Sequence, residues 1–93
     1  MLFNLFNSMP SVSTKELEAK LTEKPQIIDV REPNEFIAGH IPGAKNVPLR
    51  KAETYTPKGK VYVICQSGGR SKRAATILKS KGYDVVNVKG GMS

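Results

Sequence analysis

Short runs rich in β-branched residues alternate with stretches of helical periodicity along this chain. The runs occupy residues 26–30, 60–64 and 84–88. Their composition is typical of strands buried in a parallel sheet, and the connections between such strands are usually helices. The alternation therefore predicts an α/β fold, a small three-layer domain with a mainly parallel sheet.

Three helices are predicted around these strands. Ser13 and Glu16 have the spacing of a capping box, and an amphipathic helix follows them. A short second helix is expected over residues 32–40. A third helix is predicted to begin at Ser71 and to end before Gly82, because glycine is common just after the last helical turn.

The length of the chain limits the number of domains that it can form. With 93 residues, of which 39% are hydrophobic and 25% charged, we expect one globular domain over residues 1–93 with a single modest core. Residues 1–10 are expected to be irregular, and residues 44–49 to form a further short strand. Residues 50–59 are a polar connection to which the sequence assigns no element.

The charge and the apolar segments exclude some classes of partner. The formal net charge of +7 should attract anions. The lysines are spread along the chain and the aromatic residues do not alternate with them, so no nucleic-acid partner is expected. The apolar start lacks the features of a signal peptide, and no stretch approaches the ~20 apolar residues of a membrane span. We expect a cytoplasmic protein with no membrane contact.

Cys65 is the only cysteine, so the chain forms no internal disulfide. It directly follows the strand predicted at residues 60–64, which places it at the carboxyl edge of a parallel sheet, where ligands bind. Most lone cysteines are simply small buried apolar residues, and that is the alternative to a reactive thiol here.

The residues after Cys65 favour the reactive thiolate. Gly68 and Gly69 allow the unusual backbone angles with which successive N–H groups form an anion-binding nest. The helix predicted from Ser71 directs its positive N-terminal end at the same place, and Arg70 adds a cation. These groups predict a lowered pKa for Cys65, and the same nest suits a persulfide.

Two segments of the chain resemble the single-domain rhodaneses, a family of sulfurtransferases. Residues 63–71, Val-Ile-Cys-Gln-Ser-Gly-Gly-Arg-Ser, resemble the active-site loop of that family. Residues 36–47, Phe-Ile-Ala-Gly-His-Ile-Pro-Gly-Ala-Lys-Asn-Val, are similar to its amino-terminal signature, and residues 29–32 match in place and type. The two motifs in this order are far more specific than either alone.

The resemblance implies a five-stranded parallel sheet with helices on both faces and a ping-pong reaction without a cofactor. Cys65 would take sulfur from a small anionic donor such as thiosulfate, become a persulfide, and pass the sulfur to cyanide or to a thiol. The thiol could belong to a small molecule or to a thioredoxin-like protein. The nest that holds the persulfide would consist of Gln66, Ser67, Gly68, Gly69, Arg70 and Ser71, with Arg70 closing it and attracting the donor.

Other polar residues near the motifs have structural explanations. A metal site needs three or four ligands, whereas Cys65 and His40 supply two at most, so no metal is expected and His40 is interpreted as part of a turn. For Lys72 and Arg73, steering of an anionic donor or an acidic partner competes with a simple position in solvent.

Asp29 and Arg31 lie at a strand's carboxyl end and are expected to support the loop without taking part in the chemistry. The interpretation pairs Arg31 with Glu32 or Glu35 and lets Asp29 accept hydrogen bonds from loop amides. Their removal should loosen the loop more than it alters the reaction.

Two other functions stay open. Cysteine-based phosphatases have five residues between cysteine and arginine, whereas Cys65 and Arg70 enclose four, so this nest suits a terminal sulfur better than a tetrahedral phosphate. A persulfide carrier or docking domain, which delivers sulfur between proteins without turnover, would use the same thiolate. A nucleotide-binding loop is excluded because no Gly-Lys-Ser/Thr follows the glycines.

One departure from the family is seen near the end of the chain. A pair such as Gly90 and Gly91 is commonly followed in rhodaneses by a segment with tryptophan and a closing helix, whereas this sequence stops at Ser93. The closing segment is therefore expected to be short or absent. The residues do not specify the physiological donor, the acceptor or the oligomeric state.

Overall fold

The computed structural model describes residues 9–92. Most of the segment expected to be irregular, residues 1–8, lies outside the described residues, as does Ser93. The strands are β1 Ser11–Ser13, β2 Gln26–Asp29, β3 Lys45–Asn46, β4 Val61–Ile64 and β5 Val85–Lys89. The α-helices are α1 Thr14–Ala19, α2 Pro33–Ala38 and α3 Gly69–Ser80, and 3₁₀ helices cover Leu21–Glu23 and Leu49–Thr54.

The strands form one five-stranded sheet in the order β1-β5-β4-β2-β3. The pairs β1–β5, β4–β5, β2–β4 and β2–β3 are all parallel, which confirms the predicted sheet type and the strand number implied by the resemblance. Because the strands are parallel, their carboxyl ends meet at one edge. The chain leaves central β4 at that edge and enters Cys65 directly.

Helices cover both faces of the sheet, because alternate strand residues point to opposite sides. One face is covered by Leu17 of α1, which packs on a strand layer of Ile27, Tyr62, Ile64, Val86 and Val88. The other face is covered by α3 through Ala74, Ala75 and Leu78, which pack on Ile28, Val30, Val61, Val63 and Val85. The predicted three-layer α/β architecture is therefore confirmed.

Local signals explain where the first two helices begin. The Ser13 side chain accepts a hydrogen bond from the Glu16 N–H at 3.1 Å, and Glu16 accepts one from the Ser13 N–H at 2.7 Å. This is the predicted capping box. Helix α2 begins with Pro33, whose missing N–H costs nothing in a first turn, and ends at Gly39.

The sequence did not predict β1 or the 3₁₀ helix Leu49–Thr54, and it made one other strand too long. Strand β1 has three residues, and its parallel pairing with β5 places it at the sheet edge. The strand expected over residues 44–49 is confined to Lys45–Asn46. Part of the unassigned connection, Leu49–Thr54, is a 3₁₀ helix whose Ala52 is buried under α3. Within residues 9–92, no helix is both long and apolar enough to cross a membrane.

Candidate active site

Cys65 lies at the first position after β4, with its side chain on the α3 side of the sheet. Its residue is 1% exposed and belongs to the same apolar cluster as the strand and helix residues around it. Position and burial alone would suit a packing cysteine, so the polar contacts of the sulfur decide what the residue does.

Hydrogen-bond donors surround the sulfur. The backbone N–H of Gly68 donates to Cys65 Sγ at 3.0 Å. Burial raises the pKa of the Cys65 thiol, but hydrogen bonds from the Ser71 hydroxyl and from the backbone N–H groups of Ser71, Gly68 and Ser67 outweigh it. The pKa is therefore lowered from its ordinary value, in agreement with the direction predicted from the sequence.

The Ser71 hydroxyl can change partner when the thiol ionises. Ser71 is fully buried, with its Oγ 3.4 Å from Cys65 Sγ and 3.1 Å from the Gly68 carbonyl oxygen. Towards a thiol, Ser71 accepts from the sulfur and donates to the carbonyl. Rotation of the hydroxyl proton turns it into a donor to the thiolate, without movement of any heavier atom.

The loop enters α3 earlier than the sequence predicted. Gly68 is the N-cap residue, with a left-handed φ of 107°, and the helix begins at Gly69 and not at Ser71. Left-handed angles are easily adopted only by glycine, so Gly68 turns the chain sharply enough for its own N–H to reach Cys65. Arg70 and Ser71 consequently lie in the first turn of α3, whose N-terminal end faces the sulfur.

Arg70 does not close the nest as expected. Its Nη1 and Nη2 donate to the two carboxylate oxygens of Glu35 at 2.8 and 3.0 Å. This bidentate pairing raises the pKa of Arg70, and the charge of Cys65 makes a smaller contribution in the same direction. The guanidinium therefore ties α3 to α2 beside the loop, with its two terminal nitrogens both engaged.

The expected pairing of Arg31 with Glu32 or Glu35 is wrong. Arg31 and Asp29 are 4% and 0% exposed, and Arg31 donates to the Asp29 carboxylate through Nε and through Nη2, the latter at 2.8 Å. Asp29 also accepts from the Arg31 backbone N–H at 3.0 Å. Alternation explains the pairing, because residues two apart in extended chain project to the same side.

The pair supports the loop through Arg31. Nη2 donates to the Gly39 carbonyl at 2.7 Å, and Nη1 lies 3.4 Å from Gln66 Oε1. One buried guanidinium thus connects the end of β2, the end of α2 and the first loop residue after Cys65. These contacts are compatible with support of the loop by Asp29 and Arg31, and that role stays a prediction.

The other candidate residues have contacts or positions that do not involve the sulfur directly. His40 stacks on Phe36, with ring centroids 3.7 Å apart, and its Nδ1–H donates to the Phe36 carbonyl at 2.8 Å. Lys72 and Arg73 are exposed on the first half of α3. Among residues 9–92 no three His, Cys, Asp or Glu side chains are grouped as a metal site would require.

Comparison with known proteins assigns the family. Residues 13–93 match the model of the rhodanese-like domain. The chain belongs to the rhodanese-like domain family. The arrangement described above, a cysteine between a central parallel strand and a glycine-containing helix start, is therefore the loop of a rhodanese-like domain.

Relatives of this rhodanese-like domain occur in bacteria and in humans. It is 47% identical to the uncharacterized protein YqhL of Bacillus subtilis over 89% of this chain and 69% of YqhL. It is 37% identical to the putative sulfur carrier protein YrkF of B. subtilis over 92% of this chain but only 50% of YrkF. It is 34% identical to the thiosulfate sulfurtransferase GlpE of Pseudomonas putida over 92% of this chain and 81% of GlpE.

A solved structure agrees with these relationships. The structure of the human single-domain sulfurtransferase TSTD1 is 30% identical, with a TM-score of 0.79, and the match covers 90% of this chain and 92% of TSTD1. A TM-score of this size over that span shows that the two chains share the rhodanese-like fold.

The sequence did not identify the contact that fixes the base of the loop in this rhodanese-like domain. Gly91 lies with φ 55° against the loop, and a Cβ there would be 2.2 Å from the Cys65 carbonyl oxygen. The N–H of Met92 donates to that same oxygen at 2.8 Å. Gly91 is held in turn by Thr14, which donates to its carbonyl at 2.9 Å. The Gly90–Gly91 pair was the available signal, because paired glycines mark close backbone approaches.

Proposed function

We propose that this chain is a sulfurtransferase that carries sulfur on Cys65 as a persulfide. The observation that supports this most directly is the set of donors around the sulfur, with the Gly68 N–H at 3.0 Å and the Ser71 hydroxyl at 3.4 Å. They lower the pKa of the thiol and so favour the thiolate, which is the form that attacks sulfur. The relationship to GlpE, named a thiosulfate sulfurtransferase, supports thiosulfate as donor.

The reaction consists of two displacements at sulfur. The Cys65 thiolate attacks the outer sulfur of thiosulfate, a new S–S bond forms, and the old S–S bond breaks as sulfite leaves with the bonding electrons. Cyanide or an acceptor thiolate then attacks the outer sulfur of the persulfide. Thiocyanate or a new persulfide leaves, and Cys65 recovers its electrons as thiolate. The amide donors stabilise negative sulfur in both resting states.

Mass spectrometry of the intact protein tests the proposal. After thiosulfate treatment the chain should gain the mass of one sulfur atom, and cyanide should remove it. The Cys65→Ala variant should gain nothing, whereas Ser80→Ala, at the far end of α3, should load normally. An unmodified wild-type chain after treatment would contradict the proposal.

The relationship to YrkF supports one second candidate, a persulfide carrier that exchanges sulfur with partner proteins. Such a carrier would load stoichiometrically yet form thiocyanate from thiosulfate and cyanide only negligibly. Continuous thiocyanate formation favours the sulfurtransferase. A cysteine-based phosphatase is disfavoured because Glu35 engages the guanidinium of Arg70, and phosphate release from an aryl phosphate that Cys65→Ser abolishes would revive it.

A further inference from the structure

A cavity of about 400 Å³ lies beside the Cys65 loop. It is bounded by β1 and β5 on one side and by the loop and the start of α3 on the other. The polar residues among those that line it are Ser11, Ser67, Lys72, Asn87 and Lys89. Ser67 also belongs to the nest around the sulfur, so the cavity and the reactive loop share a wall.

The buried side chain of Asn87 lies at this cavity. It lies in the middle of β5 and faces the same side as Val85, which is packed under α3. A strand position of this kind is normally filled by an apolar side chain. Asn87 is 6% exposed, and its Oδ1 has no hydrogen-bond partner among residues 9–92. Since a buried amide oxygen without a partner is unfavourable, its presence points to a ligand.

The walls of the cavity are positively charged. Lys72 of α3 and Lys89 of β5 line it, and no carboxylate is among its described lining residues. The Glu16 carboxylate interacts with Lys89 from outside this lining: it accepts a hydrogen bond from the Ser13 N–H at 2.7 Å, and its pKa is lowered by its bonds to Ser13 and, more weakly, by Lys89. Rotation of the Asn87 side-chain amide by half a turn exchanges the positions of its oxygen and its NH₂ group, so that the NH₂ group can donate to a ligand in the cavity. The two lysine ammonium groups and the NH₂ group of Asn87 are together suited to bind an oxyanion.

The size of the cavity indicates more than a bare sulfur oxyanion. Its volume falls within the ~300–1,000 Å³ typical of pockets for small organic molecules. We propose that the cavity binds the carboxylate or sulfonate group of a small organic thiol, the acceptor of sulfur from Cys65. The oxyanion lies between Lys72 and Lys89 and accepts a hydrogen bond from Asn87. This inference rests on the proposed function.

The acceptor step is balanced without any further reagent. The thiol of the acceptor loses its proton to water, and the resulting thiolate attacks the outer sulfur of the Cys65 persulfide. The acceptor gains an S–S bond while the bond to Cys65 breaks. Cys65 leaves with the electron pair as the thiolate that the surrounding donors stabilise.

A titration without sulfur chemistry tests the binding itself. Amide resonances of the full chain are followed by NMR while 1-propanesulfonate or the neutral 1-propanol is added. We expect saturable shifts at Ser67, Lys89 and the Asn87 side chain with the sulfonate only. Lys72→Gln and Lys89→Gln should weaken binding about tenfold, whereas Lys79→Gln, elsewhere on α3, should not. Equal shifts with 1-propanol, or equal weakening by Lys79→Gln, would overturn the subsite.

Replacement of Asn87 separates binding from packing. Asn87→Leu fills the same space without a buried unpaired amide, so its melting temperature should match or exceed that of the wild type. Its affinity for 1-propanesulfonate should nevertheless fall. Unchanged affinity in the folded variant would count against the role of Asn87.

Turnover distinguishes the failure of this inference from failure of the proposed function. The KM for 3-mercaptopropionate should be lower than that for 3-mercapto-1-propanol. Lys72→Gln combined with Lys89→Gln should raise the KM for 3-mercaptopropionate about tenfold and leave the KM for 3-mercapto-1-propanol unchanged. Equal KM values for the two thiols, with active sulfur transfer, would overturn the subsite alone. If the lysine substitutions instead slowed loading by thiosulfate and left the KM for the thiol unchanged, the cavity would be assigned to the donor and the subsite for the acceptor would be overturned. A chain that never takes up sulfur would overturn the proposed function, and the titration would still decide whether the anion binds.

Discussion

The Ser71 hydroxyl lies 3.4 Å from the Cys65 sulfur. It makes the largest favourable contribution to the lowered pKa of Cys65. Ser71→Ala should therefore raise that pKa and slow alkylation by iodoacetamide at neutral pH about tenfold, as expected for loss of a hydrogen bond of ~1.5–3 kcal/mol to a charged group. The measurement is the pH dependence of the alkylation rate.

Ser80→Ala is the matched control for this experiment, because the Ser80 hydroxyl donates to Ile77 in the last turn of the same helix. It should leave the pH profile of the wild type unchanged. An identical profile for Ser71→Ala would show that the hydroxyl does not act on the sulfur.

A substitution at Gly91 tests how closely this residue packs against the Cys65 loop. Ala at this position would have to adopt a left-handed φ of 55° and place Cβ 2.2 Å from the Cys65 carbonyl oxygen. In Gly59→Ala the same left-handed strain applies, at φ 75°, but nothing lies within 4 Å. We expect Gly59→Ala to cost about 1–2 kcal/mol and Gly91→Ala roughly 1–3 kcal/mol more. Urea unfolding measures both, and equal losses would contradict the close contact.

Pairing between α2 and α3 gives the protein a specific response to acid. Hydrogen bonds from Arg70 and from the Glu32 N–H lower the pKa of Glu35 from 4.5 to about 2. A carboxyl with a depressed pKa stabilises the folded state above its unfolded pKa and loses that effect as the pH falls. The stability difference between wild type and Glu35→Gln should therefore be full above pH 4.5 and disappear towards pH 2.

Urea unfolding of both proteins at a series of pH values measures this difference. In an Arg70→Gln background the Glu35→Gln substitution should have much less effect, because the partner is gone. A difference that does not vary with pH would show that the ion pair does not stabilise the fold.

Elements with local signals were predictable from the sequence, and elements formed by distant pairing were not. The capping box at Ser13 and the apolar runs of β2, β4 and β5 are each formed by residues that are close in the sequence, so they can be recognised from the sequence. Strand β1 contains one apolar residue among three and exists through its pairing with residues 87–89. No local pattern specifies such a strand.

The same distinction applies within the site. Cys65 and its loop could be identified because glycine, arginine and serine follow one another in the chain. The partners of Arg70 and Arg31 depend on how α2 and β2 are placed, although the alternation between Asp29 and Arg31 was a usable signal. The unpaired side-chain oxygen of Asn87 could be recognised only after α3 was seen to cover its strand.

At the scale of the molecule, the net charge of +7 should guide anions to the thiol. Iodoacetate and iodoacetamide differ mainly in charge, so the ratio of their alkylation rates at Cys65 reports the local potential. The rate with iodoacetate divided by the rate with iodoacetamide should fall several-fold between about 0.01 M and 1 M salt, because the Debye length shrinks from ~30 to ~3 Å. A ratio independent of salt would show that the lysines do not act together at the site.

The strand order has a consequence for how the protein is made. Ser11 lies in the first of the described strands, yet its partner across the sheet is Asn87, in the last of them. During synthesis β2, β3 and β4 have neighbours to pair with long before β1 does. Of the five described strands, the first to be translated thus pairs only after the last has been made, and the cavity between β1 and α3 closes only then.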